Sequence, residues 1–316
     1  FFFKQTTAYA IGVRLVGSEM CIRDSNNLDY TPDQIVVSNG AKHSVSTLCQ
    51  AVINPGDEVI IFTPYWVSYP EIVRLAEGVP ITVSTIASDN FTPDWDDLET
   101  KVSSRTSAVI LNSPSNPTGA VWDDSTAHRI LSLAAEHNWI VISDECYERL
   151  VYDSSYSSSE SINDVGANVL TIQSLSKTYA MTGWRIGYTA GDPAIISAMA
   201  KIQGQTTSCP NSIGQKASVE ALVGDQSQVE AMCKIFAERR DSMIDRLNAI
   251  DHLSCSRPGG AFYAFPDISY YLGLSANGKI IDSSFALSDY ILDCARTVTV
   301  AAVSYTHLTL PTLLLV

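Results

Sequence analysis

SLSKTYAMTGWRIGY, residues 174–188, sets one lysine, Lys177, among hydroxyls and one arginine, Arg185, eight residues further on. It follows directly on the apolar run VLTI at 169–172. Read alone, the segment is a strand, a turn and two solvated cations. It is equally a strand end that holds an anion, with a reactive amine at its mouth. Arg185 lies between GW and IGY in a strand-like stretch. A cation in a strand calls for a buried partner, because charges are rarely buried unpaired. The flanking chain has to decide.

Working outward, strands and helices alternate. QIVVSNG (34–40) is a strand ending in a turn, and AKHSVSTLCQAVI (41–53) carries a helical period. PGDEVIIFTP (55–64) is turn, strand, turn, and VSYPEIVRLAEG (67–78) continues as a helix. PITVST (80–85) is a strand, and DWDDLETKV (94–102) opens with the acidic first turn of a helix. SAVILNSP (107–114) is a strand, SNPTGAV (115–121) a loop, and DDSTAHRILSLAAEH (123–137) an amphipathic helix with Ile130, Leu131, Leu133 and Ala134 on one side. WIVISDE (139–145), NVLTIQS (168–174) and WRIGYTAG (184–191) are further strands, and SSYSSSES (154–161) is a surface loop. Such alternation implies parallel βαβ crossovers, and continuous apolar strands imply a sheet covered on both faces. Beyond Asp192 the pattern turns helical through 250, then mixes short strands, LSCSRP (253–258) and GAFYAFPDI (260–268), with one helix, SFALSDYILDCA (284–295). The expected class is α/β: a mostly parallel sheet with helices on both faces, followed by a smaller α+β part. The expected divisions are 26–225, a linking helix at 226–250, and a partial small domain at 251–303.

Composition narrows the functions. The 316 residues are 46% hydrophobic, enough for a large core, and the net charge of −14 argues against nucleic acid or an anionic membrane as partner. An anionic small ligand stays admissible, since a local cationic pocket can outweigh the global field. The seven cysteines form no CxxC pair, and the five histidines show no HxxxH or HExxH spacing. No disulfide framework and no metal site is expected, and a reducing cytoplasm fits best. No apolar run reaches the roughly 20 residues of a membrane span. The ends RLVGSEMCIRDS (14–25) and SYTHLTLPT (304–312) resemble translated sequencing-adapter DNA. Residues 1–25 and 304–316 are therefore expected to be artefacts, outside the natural reading frame.

Ligands of parallel α/β sheets sit beyond the carboxyl ends of the strands. The unusual polar residues fall there. SNGAK follows one strand, NSPSNPTG another, SDECY a third and SLSK a fourth. Each has an ordinary reading. Gly40-Ala41-Lys42 is a tight turn with a surface lysine, or a helix start whose free N–H groups hold an anion. Asp144 caps a following helix, Asn116 is turn chemistry, and Trp66 is core. No GxGxxG occurs, so a dinucleotide fingerprint is missing. One chemistry uses all these parts together. Pyridoxal 5′-phosphate needs an amine for its aldehyde, donors for its phosphate, a carboxylate at its ring nitrogen, donors at its ring oxygen and an aromatic face.

At this point the chain resembles the class I pyridoxal-phosphate aminotransferases of fold type I. The resemblance is carried by VVSNGAKHSV, NPGDEVIIFTPYWVSYPE, LNSPSNPTGAVW, VISDECYERLVYD, SLSKTYAMTGWRIGY and RPGGAFYAFPD, in that order, over about 26–303. NGAK, PYWVSYPE and AMTGWRIGY look most like the bacterial aspartate and prephenate subgroup. The resemblance implies that Lys177 bonds the cofactor aldehyde and later moves the substrate proton. It implies that Asp144 keeps the ring nitrogen protonated and that Tyr147 and Asn116 donate to the ring oxygen. Trp66 would stack on the ring. Ser174, Ser176, Arg185 and the N–H groups of Ala41 and Lys42, turned at Gly40, would hold the phosphate. Lys42 would reach the distal carboxylate of an acidic substrate, with Trp66 and Asn116 also at the substrate.

The implied reaction is transamination between aspartate, or another dicarboxylic donor, and a 2-oxo acid such as 2-oxoglutarate, in a cytoplasmic homodimer. The family's N-terminal glycine and partner-facing tyrosine find no match. VTVAAV (298–303) runs into SYTHLTLPT without the arginine that clamps the substrate α-carboxylate. The chain as written is therefore expected to be an incomplete fragment that binds cofactor weakly or transaminates poorly. Two other readings stay open. One is another pyridoxal enzyme of this fold, a C–S lyase or an aromatic, alanine or kynurenine aminotransferase. The other is a non-enzymatic aminotransferase-like domain of a regulator.

Overall fold

The computed structural model describes Asn26, residues 28–153 and 155–301, and the backbone of Leu313–Leu314. The adapter-like stretches expected at 1–25 and 304–316 otherwise lie outside the described residues. At the centre is a seven-stranded sheet. Its strands are β1 (Ile35–Ser38), β2 (Glu58–Phe62), β3 (Val79–Val83), β4 (Thr106–Leu111), β5 (Ile140–Asp144), β6 (Asn168–Ser174) and β7 (Gly187–Ala190), in the order β1-β7-β6-β5-β4-β2-β3. β6, β5, β4, β2 and β3 are parallel neighbours, whereas β7 runs antiparallel to both β6 and β1.

Alternation along each strand divides the core. Val59, Ile61, Ala108, Ile110, Ile142, Leu170 and Ile172 point to one face. There they meet α1 (Ala41–Val52) through Val45, Leu48 and Cys49, α2 (Ser68–Leu75) through Tyr69, Ile72 and Val73, and α6 (Pro193–Thr206) through Ile196 and Met199. The alternate residues Ile60, Phe62, Val109, Leu111, Val141 and Val169 point to the other face. They pack on α3 (Trp95–Lys101) through Leu98 and on α4 (Asp124–His137) through Ile130, Leu131 and Ala134. On that side β1 and β7 pack on α5 (Leu175–Thr178) and α7 (Ser212–Val223) through Leu175 and Leu222. A sheet covered twice has no polar face, which is why these strands read as apolar runs.

Local chemistry sets the helix ends. The Asp94 carboxylate accepts from Asp97 N at 3.1 Å, Asp123 from Thr126 N at 2.8 Å and Asp192 from Ala194 N at 2.8 Å. Each satisfies an amide that the helix itself leaves unpaired. α4 stops at Asn138, which takes the left-handed conformation at φ 59.

Beyond the sheet, α8 (Ser227–Asn248) buries Ile244 and Leu247 against Leu253, Cys255 and Ala264. A short hairpin, Ser275–Ala276 with Lys279–Ile280, turns through Asn277 and Gly278, both at positive φ. α9 (Ser284–Ala295) follows, and Val300–Ala301 pairs with Leu313–Leu314. Three sequence expectations need correcting. LSCSRP and GAFYAFPDI form isolated bridges rather than strands, among them Ser254 to Asp267 and Val151 to Gly260, and the chain turns at Ala261 with φ 56. SSYSSSES is not simply surface, for Ser158 and Ser159 are buried. WRIGYTAG is a strand only from Gly187, and Arg185 precedes it in a left-handed turn at φ 56.

Candidate active site

The parallel strands bring Ser38, Asp144 and Ser174 to one edge of the sheet. Reversed β7 begins at that edge, paired Ser174 to Gly187 and Ser38 to Gly187. The turn before β7 therefore delivers Arg185 to the same place. Arg185 is exposed and, among the described residues, has no buried hydrogen-bond partner, contrary to the sequence expectation. Its Nη1 donates to Thr182 O at 2.9 Å and its Nη2 to Asn39 O at 3.4 Å. The guanidinium lies against Gly40, where a Cβ would stand 2.4 Å from Nη2. Gly40, at φ 84, begins α1 without any side-chain cap. The first amides of a helix lack intrahelical acceptors, so those of Ala41 and Lys42 remain for a ligand. Gly187 allows this approach, since its Cβ would lie 2.6 Å from Ala41 N. Ser174 ends β6 buried and accepts from Ser176 N at 3.1 Å, and Ser176 is buried beside it.

At the other end of the site stands Asp144, buried at the tip of β5. It caps no helix, because residues 146–149 form turns. Tyr69 donates to Asp144 Oδ2 at 2.7 Å, and Cys146 N donates to Oδ1 at 3.3 Å. Burial raises the Asp144 pKa, and these hydrogen bonds pull partly against it. The buried Cys146 thiol is pushed well up by burial and then by the Asp144 charge. Tyr147 is buried too, and its hydroxyl is hydrogen-bonded to that of Tyr263. Asn112 Nδ2 donates to Asp144 O at 3.0 Å, and Asn112 Oδ1 accepts from Asn116 N at 2.8 Å. That ties the SNPTG loop to the tip of β5. Asn116 Oδ1 is buried with no partner among the described residues.

Lys177, on α5, holds Nζ 5.9 Å from the Tyr147 ring centre and 5.1 Å from that of Phe262. Burial lowers its pKa; Cys146 opposes this, and the Arg185 charge adds to it. At the mouth, Lys42 Nζ lies 4.8 Å from the Trp66 ring centre, and Trp66 meets Tyr69 edge-on at 5.3 Å. Behind β5, Glu145 is buried and accepts from Ser143 Oγ at 2.8 Å, Ser158 Oγ at 3.0 Å and Ser159 N at 3.0 Å. Burial and the Glu148 charge raise its pKa to about 7.

The structure thus gathers Gly40, Ala41, Lys42, Trp66, Asn116, Asp144, Tyr147, Ser174, Ser176, Lys177 and Arg185 along one edge. Sequence reasoning did not single out Tyr69, Asn112, Cys146, Phe262 or Tyr263. Tyr69 follows Trp66 by three residues, one helical turn, and that spacing is a signal. The paired glycines before Phe262 were another, marking close backbone approach.

The chain matches the aminotransferase class I and II family over residues 13–313 and belongs to it. It is 44% identical over 281 residues to the bifunctional aspartate aminotransferase and glutamate/aspartate-prephenate aminotransferase of Petunia hybrida, covering 87% of this chain and 59% of that protein. The chain spans about six-tenths of the length of such curated relatives. The crystal structure of the aspartate aminotransferase from Rhizobium meliloti superposes with a TM-score of 0.90 at 38% identity, over 98% of this chain and 78% of that one. The alanine aminotransferase from Pyrococcus furiosus superposes with a TM-score of 0.89 at 28% identity, over 100% and 79%.

Proposed function

We propose that this member of the class I and II aminotransferases binds pyridoxal 5′-phosphate at the sheet edge and transfers an amino group from aspartate, or another dicarboxylic amino acid, to a 2-oxo acid such as 2-oxoglutarate. Class I aminotransferases use that cofactor. The residues present fit it. A buried carboxylate, Asp144, fits a cationic ring nitrogen, and Arg185 with uncapped α1 suits a phosphate. The observation that carries the reading is the Lys177 amine held over the Tyr147 ring, close in sequence to the phosphate donors.

Bound there, pyridoxal phosphate supplies an aldehyde that bonds amines and a ring that takes up electrons when the substrate Cα loses its proton. The chain's own groups do the rest. Lys177 Nζ, with its pKa lowered by burial, is eased toward the neutral amine that can take and return a proton at the substrate Cα. Asp144 keeps the ring nitrogen charged, and Tyr69 fixes one of its oxygens. Tyr147 and Asn116 donate to the ring oxygen. Trp66 covers the ring face, and Arg185, Ser174, Ser176 and the amides of Ala41 and Lys42 grip the phosphate. Lys42, exposed beside Trp66, attracts the distal carboxylate of an acidic substrate. The working form in this reading is a cytoplasmic homodimer.

The test is to mix the purified 316-residue chain with pyridoxal phosphate, reduce it with borohydride and map the adduct by mass spectrometry. The expected adduct is on Lys177 and is lost in Lys177→Ala. Lys177 left unmodified even at a large excess of pyridoxal phosphate, which overcomes weak binding, would sink the reading. Amino-donor profiling against 2-oxoglutarate then tests the substrate class, which the equal likeness of fold to an alanine aminotransferase keeps separate. Aspartate is expected to be preferred over alanine, and a Lys42→Ala variant that keeps the full preference would remove Lys42 from this role.

A further inference from the structure

Residues 257–263 cross the sheet edge as a strap. Gly260 N donates to Gly119 O at 2.9 Å, Ala261 N to Leu150 O at 2.8 Å, and Tyr152 N to Gly259 O at 2.9 Å. The approach leaves no room for side chains. A Cβ on Gly119 would lie 2.4 Å from Pro258 Cβ, and one on Gly260 would lie 2.7 Å from Leu150 O. Arg240 of α8 fastens the strap from outside. Its Nη1 donates to Asp153 Oδ2 at 2.6 Å and to Pro258 O at 3.1 Å, and its Nη2 to Asp153 Oδ1 at 3.2 Å. Arg257 joins the same carboxylates, with Nη2 at 2.7 Å from Asp241 Oδ1. The strap therefore arrives at the site with little freedom.

What it delivers is Phe262 beside Lys177 and the Tyr263 hydroxyl against that of Tyr147, their rings 5.6 Å apart at 73°. The pair has a polarity. Each neutral phenol has one proton to donate. If Tyr147 spends its proton on Tyr263, it has none for a ligand. If Tyr263 donates to Tyr147, the Tyr147 proton is released to point elsewhere. Burial raises both hydroxyls, Tyr263 to about 12, so each keeps its proton at neutral pH and only the direction of donation is open.

We propose that Tyr263 is a positioning residue for Tyr147: held by the strap, it donates to the Tyr147 hydroxyl and so turns the single Tyr147 proton toward the ring oxygen of bound pyridoxal phosphate. The inference rests on the proposed cofactor site and adds to it a residue from the far side of α8. A hydroxyl that accepts one hydrogen bond is also polarised into a better donor. Losing Tyr263 should therefore weaken the Tyr147 bond to the ring oxygen without disturbing the packing, since Tyr263→Phe keeps the ring.

The experiment is a spectrophotometric pH titration of the cofactor bound to the 316-residue chain, in the parent, Tyr263→Phe, Tyr147→Phe and the double variant. Tyr263→Phe is expected to raise the pH of the absorbance transition by roughly half to one unit, the size of one neutral hydrogen bond. In the Tyr147→Phe background the same change is expected to add nothing, because Tyr263 acts only through Tyr147. An unchanged transition in Tyr263→Phe overturns the role, and so does an equal shift in both backgrounds. A parent chain with no cofactor absorbance overturns the reading of the site itself, and the Tyr263 role falls with it.

Discussion

The two ends of the proposed cofactor site are built differently. The phosphate end is the more open: its cations Arg185 and Lys42 are exposed, though Ser174 and Ser176 are buried, and its donors lie within a dozen residues of Lys177 or at the head of α1. The ring end is closed: Asp144, Tyr147, Cys146 and Tyr69 are buried, and their bonds join distant parts of the chain, Tyr69 to Asp144 and Tyr147 to Tyr263. The difference follows from what each end must do. A phosphate carries its own charge and binds well to backbone amides and a solvated guanidinium. A ring nitrogen must be kept protonated against water, which takes a carboxylate at low dielectric, and such a carboxylate needs donors to hold it.

Four substitutions would break or sharpen that contrast. The largest effect is expected for Asp144→Asn. Transaminase activity should fall by about 10²- to 10³-fold, as for loss of one preorganised charge. The melting temperature at pH 7 should not fall with it, because the amide escapes the desolvation that raises the Asp144 pKa. A variant that melts earlier would show that Asp144 is held for stability rather than for the ring.

Glu145→Gln comes next. The folded-state pKa of Glu145 is raised from 4.5 to about 7, so between those values the native state holds a proton that the unfolded state has released. Its contribution is fully present below the unfolded pKa and declines as pH rises, by on the order of 3 kcal/mol across the window. Denaturant melts from pH 4 to 8 should therefore show the parent losing stability relative to Glu145→Gln, most steeply between pH 4.5 and 7. A constant difference would mean that the Ser143, Ser158 and Ser159 donors stabilise the carboxylate fully.

Tyr69→Phe leaves Asp144 Oδ2 without its donor. The expected cost is about 1–3 kcal/mol in a denaturant melt, as for an unsatisfied buried acceptor. The cost should be greater at pH 8 than at pH 4, since Tyr69 supports the ionised form. The smallest effect is expected at the open end. Arg185→Lys should weaken pyridoxal phosphate binding by roughly tenfold in a fluorescence titration, and added salt should narrow the gap to the parent. If Arg185→Lys proved costlier than Asp144→Asn, the contrast between the ends would be reversed.

The same contrast governs how much could be read from the sequence. Phosphate-end residues lie in contiguous motifs, NGAK and SLSKTYAMTGWRIGY, and every one named from them stands at the sheet edge. The conformation was still misjudged at Arg185, because a left-handed turn at a non-glycine residue leaves no mark in composition. At the ring end, Asp144 and Tyr147 were legible from SDECY, but their partners were not. Tyr69 sat in a stretch read as a helix, and Tyr263 in one read as a strand. The serines of 154–161 looked like solvent-facing loop until Glu145 gave Ser158 and Ser159 a buried acceptor.

By itself, the sequence determined the alternation of strands and helices, the two-sided burial of the sheet and the residues gathered at its carboxyl edge. These depend on periodicity and local turn chemistry, which are written in neighbouring residues. Tertiary structure alone decided that β7 runs backward, so that Arg185 returns to the site, and that a strap from beyond α8 brings Tyr263 to Tyr147. Both are pairings between segments remote in the chain, and their free energy lies in contacts that neither segment can make alone.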